Sequence, residues 1–276
     1  MLLSNRLMKG KGKKRELGNC YPSPPNEDPF GAGVTLDKTL GAGFRMAGVS
    51  FSADGTRMIM TPYSSVTSTE YLLSVPWEID SAVHNRSLPK APTTYPYQLQ
   101  YARNGSSLYT VAFGVNHTAL FQNVFPNEPF ADDDVFGSSW VSFVPAASES
   151  TDSWSSLFVS DDERYVFVAT RGDEIIQYEM SNPGDITSCI FIRKASFPGN
   201  AWNACWLSCD GINLFWTNRN DVYHFVLSTP FDISTAVEQR MTTVPHDALC
   251  GLWCNPEMTI MYTSRYMASR VEQFSI

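Results

Sequence analysis

Val222-Tyr223-His224-Phe225-Val226-Leu227-Ser228-Thr229-Pro230-Phe231-Asp232-Ile233-Ser234 decides the fold, because its pattern returns along the chain. The same order of residue types stands at Ile175-Ile176-Gln177-Tyr178-Glu179-Met180-Ser181-Asn182-Pro183-Gly184-Asp185-Ile186, and again at Tyr71-Leu72-Leu73-Ser74-Val75-Pro76-Trp77-Glu78-Ile79. In each copy an apolar, β-prone run ends in a serine, a proline two residues on, an acid and an isoleucine. Proline fixes φ just past the strand, and Asp185 or Asp232 can accept hydrogen bonds from amides ahead of it, starting a short helical turn. The isoleucine is expected to tuck against the sheet, so the block reads as a structural corner rather than a site.

A second, earlier signal makes the repeat countable. Phe51-Ser52-Ala53-Asp54-Gly55-Thr56-Arg57-Met58-Ile59-Met60 sets two β-prone segments about an Asp-Gly hairpin turn. Counterparts are Tyr101 to Tyr109 around Asn104-Gly105, Phe158 to Val166 around Asp161-Asp162, Leu207 to Phe215 around Asp210-Gly211, and Leu252 to Met261 around Asn255-Pro256. Turns at 54, 104, 161, 210 and 255 are 50, 57, 49 and 45 residues apart, the length of a four-stranded antiparallel propeller blade. No 3.6-residue apolar period persists, which excludes helical solenoids. Apolar residues on both faces of Tyr165-Val166-Phe167-Val168 and Leu214-Phe215-Trp216 fit blades stacked face to face better than a half-solvated sandwich.

The two ends of the repeat predict a closed ring. Arg270-Val271-Glu272-Gln273-Phe274-Ser275-Ile276 matches a third strand and then stops, while Val34 to Ala42 precedes the first hairpin as an outer strand without a blade. Pairing 34–41 with 270–276 completes the fifth sheet and removes an exposed edge. The expected fold is therefore all-β: a five-bladed β-propeller over residues 33–276, closed by an N-terminal strand that completes the last blade. It is preceded by an extended N-terminal arm over residues 1–32.

That arm holds Arg6, Lys9, Lys11, Lys13, Lys14 and Arg15 between glycines, then the proline-rich Tyr21 to Pro29. Residues 1–20 carry six basic side chains and one acid, within a chain whose net charge is −8. Such a segment builds no core. It reads as a tail that orders on an acidic or grooved partner or as a solvated terminus, with a mitochondrial presequence a weaker third reading because the run is short and favours lysine over arginine. The chain has no run of 18 apolar residues, and no secretory h-region follows Met1-Leu2-Leu3, so neither a membrane span nor a signal peptide is expected. Six cysteines in such a chain are expected as free thiols. Cys205, Cys209, Cys250 and Cys254 share a four-residue spacing and are read as inherited core residues in preference to a zinc site.

Blade two departs from the pattern, lacking the corner after Asn123. Phe125 to Phe136 is expected as an enlarged loop, a tolerated insertion in the first place and a partner or glycan contact, or a weak cation site, in the second, through Phe130, Asp132, Asp133 and Asp134.

Phe-Ser-x-Asp-Gly-Thr-x-Met at 51–58 together with Leu-Ser-Thr-Pro-Phe-Asp-Ile-Ser-Thr-Ala at 227–236 resembles the propeller repeats of virion and tail-associated proteins of bacteriophages, especially marine ones. The resemblance covers about 34–276. It implies a non-enzymatic virion component, synthesised in a host cytoplasm and present in multiple copies. The arm would contact other virion proteins, and a host glycan or receptor is the further partner such propellers suggest. It implies no cofactor and no specific nucleic acid. His84, His117, His224 and His246 have no partnered serine or cysteine pattern, and no phosphate loop appears, so no catalytic residue is assigned. A lectin-like propeller remains a second reading and an intracellular interaction scaffold a third. Neither a polar and aromatic set repeated in every blade nor the Gly-His and Trp-Asp marks of WD repeats support them.

Overall fold

The computed structural model describes residues 35–41, 45–63, 67–88, 95–113, 118–125, 140–146, 153–199, 202–244, 249–266 and 269–276. Within them lie five four-stranded antiparallel sheets, the five blades of a propeller. The first strand, β1 (Thr35–Gly41), precedes blade one and belongs to blade five. Blade one is β2 (Met46–Phe51), β3 (Arg57–Pro62), β4 (Thr69–Leu73) and β5 (Ala82–Ser87). Blade two is β6 (Tyr95–Tyr101), β7 (Ser107–Phe113), β8 (Thr118–Val124) and β9 (Trp140–Phe143). Blade three is β10 (Trp154–Val159), β11 (Tyr165–Thr170), β12 (Glu174–Met180) and β13 (Cys189–Ser196). Blade four is β14 (Cys205–Leu207), β15 (Asn213–Asn218), β16 (Asp221–Leu227) and β17 (Ala236–Thr243). Blade five is β18 (Leu249–Cys254), β19 (Ile260–Arg265), β20 (Arg270–Ser275) and β1.

The closure expected from the two ends is present. β1 pairs antiparallel with β20 from Thr35 opposite Ser275 to Gly41 opposite Arg270, with a bulge between Leu36 and Lys38. The bulge re-aims the strand, and Lys38 forms ion pairs with Glu78 and Asp80 of blade one, tying closing strand to first blade. Inner strands β2, β10 and β18 are buried at every position, as blades packed on both faces require. Outer strands are wetter, and Val83, Ile190 and Val237 stand exposed at the second position of β5, β13 and β17.

The corners are short 3-10 helices at Ile79–Ser81, Ile186–Ser188 and Ile233–Thr235. Asp185 accepts from the Thr187 amide and Asp232 from the Ser234 amide, and Ile79, Ile186 and Ile233 are buried. The Thr187 hydroxyl and amide hold the Asp185 carboxyl below its ordinary range. Glu78 makes no such cap and turns to Lys38 instead.

What seats two of the three corners is a buried glutamine from the preceding blade. Alignment of the third strands on their last residues (Leu73, Phe125, Met180, Leu227 and Ile276, each of whose amides bonds back to the inner hairpin) places Glu70, Gln122, Gln177, His224 and Gln273 at one position. All five are buried. Gln122 of blade two accepts the Ile186 amide of blade three at 3.0 Å and donates to the Gly184 carbonyl at 2.6 Å. Gln273 of blade five accepts the Ile79 amide of blade one at 3.2 Å. These amides open a 3-10 helix and have no partner within it, so the preceding blade supplies the cap.

Glutamine stands where the following blade carries a corner, namely before blades three, four and one, but the Gln177 Oε1 makes no bond to the blade-four corner, which Arg193 of blade three holds through Asp232 and Ser234 instead. Before blade two, whose sequence lacks the corner motif, the residue is Glu70, held by Arg57 and Arg86 at 3.0 Å each and by the Tyr101 hydroxyl. Before blade five it is His224, bonded to Asn213 at 2.7 Å and stacked on Phe215. Replacing Gln122 by leucine keeps the volume but leaves a buried amide and a buried carbonyl unpaired, each worth about 1–3 kcal/mol. Q122L is expected to lower stability in urea by that order, without a change in the slope of the transition. A midpoint equal to wild type would show that the bond does not hold the blades.

Candidate functional site

The inner hairpins of all five blades share one backbone. In each, the first residue after the inner strand donates its amide across to the start of the next strand and accepts the amide of the fourth, as in Gly55 N–H to Ser52 O at 2.9 Å. The fourth residue is left-handed throughout: Gly55, Gly105, Glu163, Gly211 and Met258 have φ of 68, 73, 55, 70 and 53°. These are turns of type I shape followed by a left-handed residue, not two-residue hairpins. The third residue is Asp54, Asn104, Asp162, Asp210 or Glu257, so the expected turn position shifts by one residue in blade three and by two in blade five. The aspartates and Asn104 accept an amide two residues on, as Asp54 does from Thr56 at 3.1 Å.

Where a corner exists, its own left-handed residue docks on this turn. Trp77, Gly184 and Phe231 donate their amides to the carbonyls of Gly55, Glu163 and Gly211. In blades one and four an aromatic ring covers a glycine so closely that a Cβ on Gly55 would lie 2.3 Å from the Trp77 ring, and one on Gly211 2.5 Å from the Phe231 ring. Blade three inverts the pair: the turn residue carries the side chain, Glu163, and the corner residue is the glycine.

The second residue of each turn is where chemistry varies. Ala53, Arg103, Asp161, Cys209 and Pro256 occupy it, and all five line one pocket of about 250 Å³ at the turn end of the central channel. Phe158, Trp206 and Trp253, equivalent residues of three successive inner strands, form its apolar wall, with the Phe158 ring 6.1 Å from Trp206 and 6.3 Å from Trp253. Blades one and two have Ser50 and Gln100 at that strand position. These bond to the neighbouring backbone, Gln100 clasping both the carbonyl and the amide of Val159 at 2.9 Å. Trp77 closes one side, and the carboxylates of Asp54 and Glu257 stand exposed at the rim. Burial pushes the Asp161 carboxyl up, and the Arg103 guanidinium, which pairs with it, pulls it back.

The opposite end of the channel is closed by rings from four blades, Tyr63, Tyr97, Trp202 and Tyr266, with Trp202 stacked on Tyr266 at 5.2 Å. Arg171 lies 3.9 Å over Trp202, and Arg45 5.3 Å over Tyr266.

Arg6, Lys9, Lys11, Lys13, Lys14, Arg15, Phe130, Asp132, Asp133 and Asp134 lie outside the described residues. The cysteines do not align as their spacing suggests. Turn register pairs Cys205 with Leu252 and Cys209 with Pro256, and among the described residues no group of three or more histidine, cysteine or acidic side chains is placed to hold a metal. Cys189, Cys205, Cys250 and Cys254 are free and buried, and burial pushes the Cys205 and Cys250 thiols up to about 12. Cys209 departs from the expectation of free thiols, being disulfide-bonded. The pocket wall went unread because Trp206 and Trp253 fall in strands rather than loops. Counting back two positions from each turn would have aligned them with Phe158.

The chain is a five-bladed β-propeller protein. No protein-family model and no curated protein matches it. Solved structures share the fold. A functionally unknown protein from Desulfotomaculum acetoxidans DSM 771 is 12% identical with a TM-score of 0.53, over 85% of this chain and 83% of that one. A chain of a Mitotic Checkpoint Complex structure is 10% identical with a TM-score of 0.51, over 100% and 98%. The β-propeller domain of Cps50 (Swd1) from Myceliophteria thermophila is 10% identical with a TM-score of 0.48, over 88% and 99%. At such identities the likeness is one of fold alone.

Arg103 is the charge that offsets burial at Asp161. R103Q should therefore raise the Asp161 carboxyl further, read by carboxyl NMR titration. An unmoved or lowered value would show that the ion pair does not form.

Proposed function

We propose that the chain is a non-enzymatic interaction propeller that recognises a protein partner through the turn face. One observation carries this reading: five turns of identical backbone present five different side chains, Ala53, Arg103, Asp161, Cys209 and Pro256, around a single mouth. Repeated pockets for a repeated sugar would keep their chemistry from blade to blade and gain from avidity. Here only the frame repeats, which suits one composite surface for one partner. The carboxylates that recur are engaged in turns and corners, where they accept backbone amides instead of facing one another across a cleft.

In its finer form the reading is a bacteriophage virion component, docked to other virion proteins through the basic arm over residues 1–32. What supports it is the resemblance of 51–58 and 227–236 to phage propeller repeats. The test is mass spectrometry of particles purified from cells producing the genome that carries this gene. The chain is expected among the stoichiometric particle proteins, and in assembly-deficient amounts when Arg6, Lys9, Lys11, Lys13, Lys14 and Arg15 are replaced by glutamine. Absence from particles despite abundance in the lysate would overturn the virion reading, and saturable binding on a glycan array would overturn the protein-interaction reading.

A further inference from the structure

We propose that the pocket at the turn end of the channel takes one aromatic side chain bearing a hydrogen-bond donor, a tryptophan or a tyrosine, projecting from the protein partner. The assignment rests on the interaction reading and names what the turn face recognises.

The volume limits the occupant. At about 250 Å³ the pocket falls just short of the roughly 300–1,000 Å³ of small-molecule sites, and it suits a single large side chain. Tryptophan, tyrosine and arginine are the side chains that most often anchor a protein interface in such a pocket. The lining chooses among them. Phe158 meets Trp206 at 67° and Trp253 at 49°, an angled wall of ring surface in place of a closed stack. Leu207, Cys254 and Pro256 extend that wall without adding charge. An incoming aromatic ring packs on it edge-on or offset, and gains more than its buried area alone supplies.

Charge argues against arginine. Ring faces attract cations too, but the carboxylates at this mouth are engaged. Asp54 accepts from the Ser52 hydroxyl at 2.7 Å and from the Thr56 amide at 3.1 Å. Glu257 accepts from the Asn255 side-chain amide at 3.1 Å. Arg103 pairs with Asp161 in the same lining, so an entering cation meets a fixed positive charge, whereas a neutral ring does not suffer from it. The neutral ring does find an acceptor. Arg103 engages the Oδ2 oxygen of Asp161, whose side chain is 35% exposed. Among the described residues nothing donates to Oδ1, which is left to accept an indole N–H or a phenol O–H.

Fluorine NMR of N-acetyl-5-fluorotryptophanamide mixed with the full chain tests this. Saturable line broadening is expected, reversed by N-acetyltryptophanamide or N-acetyltyrosinamide. The 1-methyl analogue of the tryptophan amide, which cannot donate, should compete roughly tenfold less well. In D161A that difference should vanish. Ala53 is exposed in its turn, so A53W fills the mouth without entering the core, and it should abolish broadening while the melting temperature stays at the wild-type value. No broadening in wild type, broadening that survives A53W, a methylated analogue that competes equally, or N-acetylargininamide competing better than the tryptophan amide would each overturn the proposal and leave the protein-interaction reading to its own test. A free hexose that displaced the fluorinated ring would overturn both.

Discussion

A propeller is held together between blades, and at two of the five junctions here a bond runs from a buried glutamine to the first amide of the neighbouring corner. Gln122 serves Ile186 and Gln273 serves Ile79. Each bond satisfies a helix-start amide that its own blade leaves unpaired, in a place where an unpaired donor is costly. The consequence for sequence is sharp. The residue before a cornerless blade is freed from the role and becomes Glu70 or His224, each with a different set of partners.

The same economy governs the turn face. Left-handed fourth residues and the amides of Trp77, Gly184 and Phe231 lock corner to turn within a blade, whichever of the two carries the bulky side chain. With the backbone fixed this way, the turn itself does not constrain the side chain at its second position, which differs from blade to blade. That division places Arg103, Asp161, Cys209 and their neighbours around one mouth, and lets three consecutive inner strands give Phe158, Trp206 and Trp253 to its wall. Ser50 and Gln100, at the same strand position, are instead consumed in stitching blades together.

Much of this was legible in the chain. The corner pattern and the hairpin spacing counted the blades, and the orphan segments at 34–42 and 270–276 announced their pairing, because turn chemistry and strand ends are local properties. The register within the turns was not legible at Asp161-Asp162 and Asn255-Pro256. There the left-handed position is filled by Glu163 and Met258, which carry no glycine signal, so the dipeptide that looked like the turn was one or two residues early. Misplaced register also made the cysteines look equivalent and hid the aromatic wall. The glutamines escaped notice since a polar residue in a mostly apolar strand reveals its partner only once the next blade is beside it. The site itself is a convergence of five distant turns, and no single stretch of sequence contains it.

The central claim, that these buried bonds hold blade two to blade three and blade five to blade one, is tested most directly by native-state hydrogen exchange of the Ile79 and Ile186 amides. They lie in short connections that would exchange quickly if held only by their own blade. The account predicts that both exchange as slowly as core strand amides such as those of Val168 and Leu214, opening only when the ring unfolds. Exchange at the rate of surface loops, with the core strands still protected, would contradict it.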